Sequence, residues 1–501
     1  MARIWHLGVQ EVRPGTYFRT SSGDVTTVGA VNGIIAVIYR SNWGELNKVV
    51  NISPEEMNNL TEIVGTGRGY DAIREAFIGG ATLVRAYRVG AGGKTARRSF
   101  MSTATTTTVT TTDPQTEQTT TTTVPVPAVA AVRVWAKHVG ARNFYCTIRK
   151  NPLNNGMKEM IFYDGDLRVI ERLNFGAGGN ESKKMARVIN NNSQYFTAKT
   201  LVDGKKIAYV TQRKIKDGAD PTITVAQYSE ATDAFERFYW NVIITDTNAW
   251  QVREIMTTFI KQSYEMGHMG MTVIGGLKKE PLDSRIALAA SINDWRVVYL
   301  LNGWKSNTGA TYEGWKAAAR IGGMIAGSET NASLTHIVVQ DAIELLEPLT
   351  NGQMIQAEEK GCFLLSLNED DQVWIDNSIN TLVTLGNDQD EGWKKVRRTK
   401  CRFELMTRVN RTCDKLVGRL NNDANGRATL VTAMNSVIRE MIGERKLFEG
   451  SYAAEDTRYK PVGDRAYFML VIGDIDSLEK IYLDYNFSYA NPFSELDTVT
   501  A

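Results

Sequence analysis

One stretch of the sequence comes close to a phosphate-binding loop. The segment RVGAGGKT begins at Arg88 and contains the Gly-Lys-Thr of such loops. The motif also needs a glycine five positions before its last glycine, so that backbone N–H groups can surround a phosphate. Arg88 occupies that position, and a threonine-rich tract follows where a helix is required. The sequence therefore predicts no nucleotide site, and we expect no cofactor.

A second chemistry, nucleophilic catalysis, needs a histidine within reach of a serine or cysteine. Of the four histidines, His268 is the best placed, just before a predicted strand. No serine lies in a G-x-S-x-G turn. We predict no catalytic residue. An enzyme of the α/β hydrolase type remains an alternative, which rests only on the order of strands and helices.

A metal site would need cysteines or histidines at short spacings. The four cysteines form no C-x-x-C pair and are far apart in the sequence: Cys146, Cys362, Cys401 and Cys413. The first residues lack the apolar core of a signal peptide, so we expect a chain that stays in the cytoplasm with free thiols. No metal ligand is predicted.

Charged residues are segregated in the last third of the chain. Residues 393–415 carry nine basic and two acidic side chains. Residues 368–392 carry no basic side chain and seven acidic ones: Glu369, Asp370, Asp371, Asp376, Asp388, Asp390 and Glu391. Three interpretations stay open: a solvated loop beside a charged helix, opposed patches that dock copies or another partner, and nucleic-acid binding by residues 394–415. The net charge of +2 argues against the last.

The elements that must position these residues follow from composition and periodicity. With 501 residues, 43% hydrophobic and 23% charged, the chain is typical of a globular protein that divides into several units. No apolar run is long enough to cross a bilayer. We predict five segments: an extended arm (1–20), a small α/β unit (21–95), a threonine-rich tract with an all-β unit (96–230), an α/β unit (231–358) and an α+β unit (359–501).

Strands and helices alternate most regularly between residues 231 and 358. This order predicts a mostly parallel sheet with helices on its faces. The threonine-rich tract predicts a solvated loop or an edge hairpin. In the last unit we predict a hairpin, helices over about 395–420 and 427–446, and strands over 466–472 and 480–489. In the last strand apolar side chains recur every second residue, which is typical of a half-buried strand.

Several segments together resemble the sheath proteins of contractile phage tails and tail-like bacteriocins. The family's order is followed by VRPGTYF, IREAFIGGATLVRAYRV, YEGWKAAARIGGMIAGSETNASLTH, INTLVTL, LNNDANGRATL and DIDSLEKIYLDYNF. The resemblance covers nearly the whole chain outside the threonine-rich tract. It implies an inserted β-sandwich followed by a subtilisin-like α/β domain, where "subtilisin-like" refers to the fold alone.

The resemblance implies a structural role. Sheath subunits form stacked hexameric rings around an inner tube, and their contraction drives the tube through a cell envelope. The expected partners are further copies, the tail tube protein, and baseplate and tail terminator proteins, with no nucleic acid and no membrane insertion. The expected location is the tail of a virion or tail-like particle assembled in the host cytoplasm.

The resemblance also implies residue roles. Arms at about 3–19 and 480–491 would add strands to a sheet in another subunit. The residues for this exchange would be Val12, Thr16, Tyr17, Phe18, Ile481, Leu483, Tyr485, Phe487 and Tyr489. Candidates for contact with the tube, on the helix predicted at 427–446, are Arg439, Arg445 and Lys446.

Overall fold

The computed structural model describes residues 3–4, 17–18, 32–112, 114–115, 117–485 and 487. The first elements are β1 (Arg3–Ile4), β2 (Tyr17–Phe18), β3 (Ile34–Tyr39), β4 (Val49–Ile52), α1 (Leu60–Val64), α2 (Arg68–Ile78) and β5 (Leu83–Arg88). The next are β6 (Thr95–Met101), β7 (Thr105–Thr112), β8 (Thr119–Val126), β9 (Ala130–Val139), β10 (Phe144–Lys150), β11 (Met157–Tyr163), β12 (Val169–Gly176), α3 (Glu181–Asn192), β13 (Phe196–Thr200), β14 (Val210–Ile215) and α4 (Val225–Phe235).

The central elements are β15 (Val242–Thr245), α5 (Trp250–Glu265), β16 (Met271–Gly275), α6 (Leu282–Ile292), β17 (Val297–Leu300), β18 (Trp304–Ser306), β19 (Thr311–Tyr312), α7 (Gly314–Gly327), β20 (Ala342–Leu345), α8 (Asn351–Glu359), β21 (Cys362–Leu367) and β22 (Val373–Asn377). The last are α9 (Val396–Leu416), α10 (Ala424–Gly443), β23 (Tyr452–Glu455) and β24 (Phe468–Val471). The mixed α/β fold predicted from the sequence is confirmed.

An eight-stranded sheet forms the centre of the protein. Its strand order is β22-β21-β17-β16-β15-β3-β5-β4. The six inner strands are parallel, and the two edge strands, β22 and β4, are antiparallel to their neighbours. The inner strands are short apolar runs, and all six residues of β3 are buried. Such runs are typical of a parallel sheet that is covered on both faces.

Helices cover both faces of this sheet and close two hydrophobic cores. α2 and α7 lie on one face, and α4, α5 and α6 lie on the other. The small residues of α7 allow its backbone to approach α2 closely: a Cβ added at Gly323 would lie 2.2 Å from the carbonyl oxygen of Ala76. The backbones of α7 and α2 are therefore in close contact.

The sheet draws strands from three of the five predicted segments. β3, β4 and β5 come from the small α/β unit, and β21 and β22 come from the segment predicted as the α+β unit. The boundaries of the five segments remain a prediction. The central sheet does not follow them, because it combines strands from three of the segments. Sequence periodicity identifies strands but does not say which strands pair, because pairing is decided by contacts far apart in the chain.

The inserted unit, residues 94–220, contains two sheets that share one core. A three-stranded sheet, β13-β9-β6, and a four-stranded sheet, β12-β11-β10-β14, enclose residues such as Phe144, Phe162 and Phe196. The prediction of an all-β unit is wrong in one respect, because α3 packs into the same core. Its amphipathic pattern lies between two strand-like stretches, and the β-rich surroundings obscured it.

The threonine-rich tract, predicted as a solvated loop or an edge hairpin, forms the hairpin β7–β8, which is a two-stranded sheet of its own. Eight consecutive residue pairs join its two strands. Every residue of β7 is exposed, as are the first seven residues of β8.

The C-terminal unit packs α9 and α10 against the hairpin β23–β24, with the side chains of Met434, Ile438 and Met441 in its core. The helices predicted at 395–420 and 427–446 are α9 and α10, with shifted ends, and the strand predicted at 466–472 contains β24. In the described part of the chain no helix is both long and apolar enough to span a bilayer.

Candidate functional site

The segment that follows β24 is the feature of the structure that best fits a contact between molecules. It begins at Ile472, which is buried, and runs along the end of α10. The backbone N–H of Phe448 donates to the carbonyl of Gly473 (2.8 Å), and the N–H of Ile475 donates to the carbonyl of Lys446 (3.0 Å). These bonds fix the first part of the segment to the body of the protein.

Ion pairs with the start of α9 hold the same part of the segment. The guanidinium group of Arg398 donates to both carboxylate oxygens of Asp474, with Nε at 2.7 Å from Oδ2. The Nη2 atom of Arg402 lies 3.6 Å from Oδ2 of Asp474. Burial alone would raise the pKa of Asp474, but the two guanidinium groups lower it below its ordinary value. Asp474 is therefore a largely buried carboxylate that stays ionised.

A second carboxylate, Glu479, lies five residues after Asp474 and is also held by the body of the protein. Its Oε2 atom accepts from Nζ of Lys395 (2.5 Å), and its Oε1 atom accepts from the hydroxyls of Ser333 (2.7 Å) and Thr335 (3.3 Å). Burial opposes ionisation, but the hydrogen bonds from Lys395, Ser333 and Ser477 lower the pKa of Glu479. We call the following set the clamp: Lys395, Arg397, Arg398, Arg402, Asp474, Asp476 and Glu479.

The position of the clamp at the beginning of α9 has a physical advantage. The first turn of α9 contains no acidic residue of its own. Negative charge at a helix N-terminus is favourable because the N–H groups there are unpaired, by about 0.3–1 kcal/mol per charge. The segment supplies this charge with Asp476 and Glu479, both of which pair with Lys395. The clamp thus pairs the basic side chains with carboxylates and places negative charge near the N-terminus of α9.

Beyond Glu479 the segment has the opposite character. Large apolar or aromatic side chains follow one another, and most of the surface of each is exposed: Ile481 (66%), Tyr482 (89%), Leu483 (67%), Tyr485 (70%) and Phe487 (90%). An exposed run of this kind is unusual for a monomer and is typical of surfaces that bind another molecule. We call residues 480–485 and 487 the exposed segment.

The strand predicted at 480–489 is not formed by the part of it that the structure describes. Of its residues, those the structure describes, 480–485 and 487, belong to no strand. A strand needs a partner for its N–H and C=O groups, and nothing in the described part of this chain pairs with it. Asn486 and Tyr489 lie outside the described residues. The pairing of this strand with a second molecule stays a prediction.

At the other terminus the structure describes two short strands. Tyr17 and Phe18 form β2, which pairs in parallel with β1. Val12 and Thr16 lie outside the described residues. The role of this terminus in strand exchange also stays a prediction.

The three tube-contact candidates are placed differently from one another. Arg439 is exposed on α10, and Arg445 is exposed just beyond its end. Lys446 is buried, and its Nζ atom donates to Oε1 of Glu404 (2.8 Å). The charge of Lys446 is therefore used inside the chain, and contact with the tube remains a prediction for the two arginines.

The basic stretch 393–415 is largely neutralised within the chain, contrary to the interpretations that make it a docking patch or a nucleic-acid surface. Four of its residues belong to the clamp. Arg408 pairs with Glu404 and Glu444, and Arg411 stacks on Tyr239 at 5.0 Å. Sequence alone could not show this, because most of the acidic partners lie outside the adjacent acidic block. The signal was present in the segment DIDSLE, whose three acids are separated by one and two residues.

The residues considered for catalysis, phosphate binding or metal binding have structural contacts instead. His268 packs against Trp240, its Nε2 atom lies 3.0 Å from the Trp240 carbonyl oxygen, and burial lowers its pKa to about 4. Arg88 is fully buried and donates to carbonyls of Ser41, Gly44 and Val139. All four cysteines are buried and form no disulfide. No group of metal-binding side chains occurs among the described residues.

Comparison with known proteins agrees with the resemblance seen in the sequence. Residues 222–381 match the family model of the phage tail sheath protein central domain. This range contains the strands β15, β16, β17, β21 and β22 and the helices between them. The resemblance to contractile tail sheath proteins is thereby confirmed for the centre of the chain.

Solved structures extend the agreement to the fold of nearly the whole chain. The sheath tail protein of Desulfitobacterium hafniense matches with a TM-score of 0.70 at 19% identity, over 94% of this chain and 99% of that one. The helical sheath of the anti-feeding prophage in its contracted state matches with a TM-score of 0.52 at 9% identity, over 96% of this chain and 100% of that one. The chain has the fold of contractile sheath proteins.

One relative is similar in sequence over about half its length. The uncharacterised protein YqbK of Bacillus subtilis (strain 168) is 22% identical over 287 residues, which cover 54% of this chain and 58% of that protein. The match spans less than two thirds of the relative, so it contributes nothing about activity or partners.

Proposed function

We propose that this protein is the structural subunit of a contractile tail sheath. Copies form stacked hexameric rings around an inner tube, and contraction of the stack drives the tube through a target cell envelope. The protein acts without catalysis or cofactor, in the tail of a virion or tail-like particle assembled in the host cytoplasm. Its other partners are the tube, baseplate and tail terminator proteins.

The observation that carries this proposal is the contrast between the clamp and the exposed segment. The clamp fixes the C-terminal segment as far as Glu479, and the exposed segment then presents its apolar side chains to solvent. A segment whose first residues are fixed to the body of the protein and whose later residues are exposed can add a strand to a sheet in a neighbouring copy. Main-chain hydrogen bonds give such a link strength, and alternating side chains fix its register.

Strand exchange also suits contraction. Copies joined by an extended segment can slide and rotate against one another while the exchanged strands stay paired. Contraction then requires two packings of the same subunits, of which the extended one is metastable. Because this strain is stored during assembly, no nucleotide is needed, which agrees with the buried, carbonyl-bound Arg88 in the stretch that resembles a phosphate loop.

Electron microscopy of the purified full chain tests the proposal. We expect rings or wide tubes in negative stain. The variant that lacks residues 480–501 should remain soluble, keep the unfolding midpoint of the full chain and form no tubes, because the clamp still closes the body. A full chain that stays monomeric at high concentration contradicts the sheath function, and normal tubes from the truncated variant contradict the exchange of this segment.

A further inference from the structure

The inserted unit carries an excess of positive charge that the whole-chain composition hides. Residues 94–220 contain 20 Lys and Arg against 10 Asp and Glu, a net charge of +10. The rest of the chain contains the remaining 38 basic and 46 acidic side chains, a net charge of −8. A charge asymmetry of this size between parts of one chain points to an electrostatic partner.

Part of this charge lines a groove. Four basic side chains, together with Ser99 and Asp217, surround a volume of about 290 Å³: Arg97, Arg98, Arg133 and Lys216. We call this the basic groove. Asp217 offsets one positive charge by pairing with Nε of Arg97 at 3.2 Å, so the groove retains a net charge of +3.

The donors of the groove are only partly used. Nε of Arg133 donates to the hydroxyl of Ser99 (3.1 Å), and Nη1 of Arg98 donates to the carbonyl of Lys214 (2.9 Å). Each guanidinium group has five N–H donors in a planar fork that suits carboxylates. The ammonium group of Lys216 makes no ion pair with any described residue. Among the described residues only the Asp217 carboxylate lines the groove, so the groove has donors left for further carboxylate groups.

A matching acidic surface lies on the turn between β21 and β22. Glu369, Asp370 and Asp371 are all exposed, and none of their carboxylates pairs with a described residue. We call these three residues the acidic turn. The side chain of Asn368 makes the turn rigid, since its Oδ1 atom accepts from the N–H groups of Asp370 (3.0 Å) and Gln372 (2.8 Å). A turn that is already ordered loses little entropy on binding.

The two surfaces lie beyond opposite edges of the central sheet. The inserted unit adjoins the β4–β5 edge, where Arg142 donates to the Thr61 carbonyl (2.8 Å) and Arg88 donates to the Val139 carbonyl (2.9 Å). The acidic turn joins the two strands at the other edge. Seven strand spacings separate these edges, about 34 Å at the usual 4.8 Å. The acidic turn therefore cannot reach the groove of its own chain.

We propose that the basic groove of one copy binds the acidic turn of a second copy. The contact is head-to-tail, because the two surfaces differ and lie at opposite edges, and head-to-tail contacts repeat into rings or helices. The inference rests on the proposed sheath function and adds to it a pair of surfaces that link neighbouring copies. This pair of surfaces takes the place of residues 393–415, for which the sequence alone allowed a docking role.

Mixed disulfide formation tests the contact. Because all four native cysteines are buried, a copy carrying Lys216→Cys and a copy carrying Asp370→Cys each present one accessible thiol. After mixing and mild oxidation, we expect at least ten times more mixed dimer than with Leu153→Cys, a 98% exposed position of the same inserted unit. Equal yields of mixed dimer from Lys216→Cys and Leu153→Cys, or no mixed dimer from either variant, overturn the proposal.

Charge reversal gives a second test that does not depend on cysteine. Glu369→Lys with Asp370→Lys should weaken association of copies, and a partner carrying Arg133→Glu with Lys216→Glu should restore it. Asp371 is left unchanged because its φ of 58° disfavours substitution. Failure of the reversed pair to restore association counts against the contact.

The two tests separate this inference from the sheath function. Tubes in the micrographs without the mixed disulfide retain the sheath function and reject the contact. A mixed disulfide without tubes supports the contact and rejects the sheath function. The yield should also fall at 1 M salt, where charges are screened beyond about 3 Å.

Discussion

The two halves of the C-terminal segment reverse the usual distribution of side chains. In the clamp, the charged groups of Asp474 and Glu479 are mostly buried between the segment and α9. In the exposed segment, which follows at once, tyrosine, leucine and phenylalanine side chains face solvent. Charges are normally outside and large apolar groups inside. The first half is thus paired within the chain, and the open second half is the part to which the proposed strand exchange assigns a second copy.

The exposed segment should be the more sensitive half when assembly is measured. If it forms a strand with one buried face, Leu483→Lys should reduce tube formation at least tenfold, because Leu483 shares a face with Ile481 and Tyr485. Tyr482→Lys, on the opposite face, is the matched control and should reduce it much less. Negative-stain counts of tubes at equal protein concentration measure both. Equal losses from the two variants contradict an alternating strand, and neither should change the unfolding midpoint of the isolated chain.

The clamp should be the more sensitive half when stability is measured. Asp474→Asn leaves Arg398 and Arg402 without their shared carboxylate, and removing one partner of a buried pair lowers the free energy of unfolding by about 3 kcal/mol. Glu391→Gln, which removes the exposed pair with Lys394, should lower it by less than about 0.5 kcal/mol. Urea unfolding measures both.

The acid dependence of stability provides a check on the Asp474 variant. The pKa of Asp474 is lower in the folded chain, so its contribution is present above the ordinary aspartate pKa and is lost as pH falls through the folded value. The Asn variant should therefore lose less stability than the original chain when both are acidified below about pH 4. Parallel acid curves contradict the assigned role of Asp474.

Lys400 on α9 provides a third case, a buried basic group for which we expect a smaller effect on stability than for the clamp. Lys400 forms no ion pair with any described residue, and its Nζ atom donates to the carbonyl (2.7 Å) and hydroxyl (2.6 Å) of Ser328. Burial lowers its pKa to about 7, although the Glu404 carboxylate acts in the opposite direction. Above pH 7 the unfolded chain therefore binds more protons at this site than the folded chain does.

Stability should consequently rise with pH through this site. The expected gain is about 1 kcal/mol between pH 7 and pH 8. Lys400→Met should remove that rise, whereas Lys415→Met, at an exposed position of the same helix, should leave it unchanged. Chemical unfolding at the two pH values measures the difference, and an unchanged rise in the Lys400 variant would place the titration elsewhere.

Much of the fold could be predicted from the sequence where local patterns are strong. The buried run of β3, the small-residue helix α7 and the exposed threonine hairpin β7–β8 all follow from periodicity or composition. The short strands β18, β19 and β20 were not predicted, since two to four residues give no measurable period. α3 was missed because its helical pattern is framed by strands of the same unit.

The candidate site was predicted only in part. The alternation of Ile481, Leu483 and Tyr485 indicated a strand, and none of these three residues pairs with a strand in the described part of the chain. The clamp was not predicted, because Arg398 and Asp474 are 76 residues apart. Nor could the basic groove be predicted, because its arginines lie on β6 and β9 while Lys216 follows β14.

The sequence by itself determined the local elements, the apolar alternation of the closing segment and the excess of positive charge between residues 94 and 220. These are properties of neighbouring residues, and composition or period is enough to reveal them. Only the tertiary structure decided which charges are neutralised within the chain and which remain for a partner. Coulomb interactions depend on distance and burial, and both are set by the packing of elements far apart in the sequence.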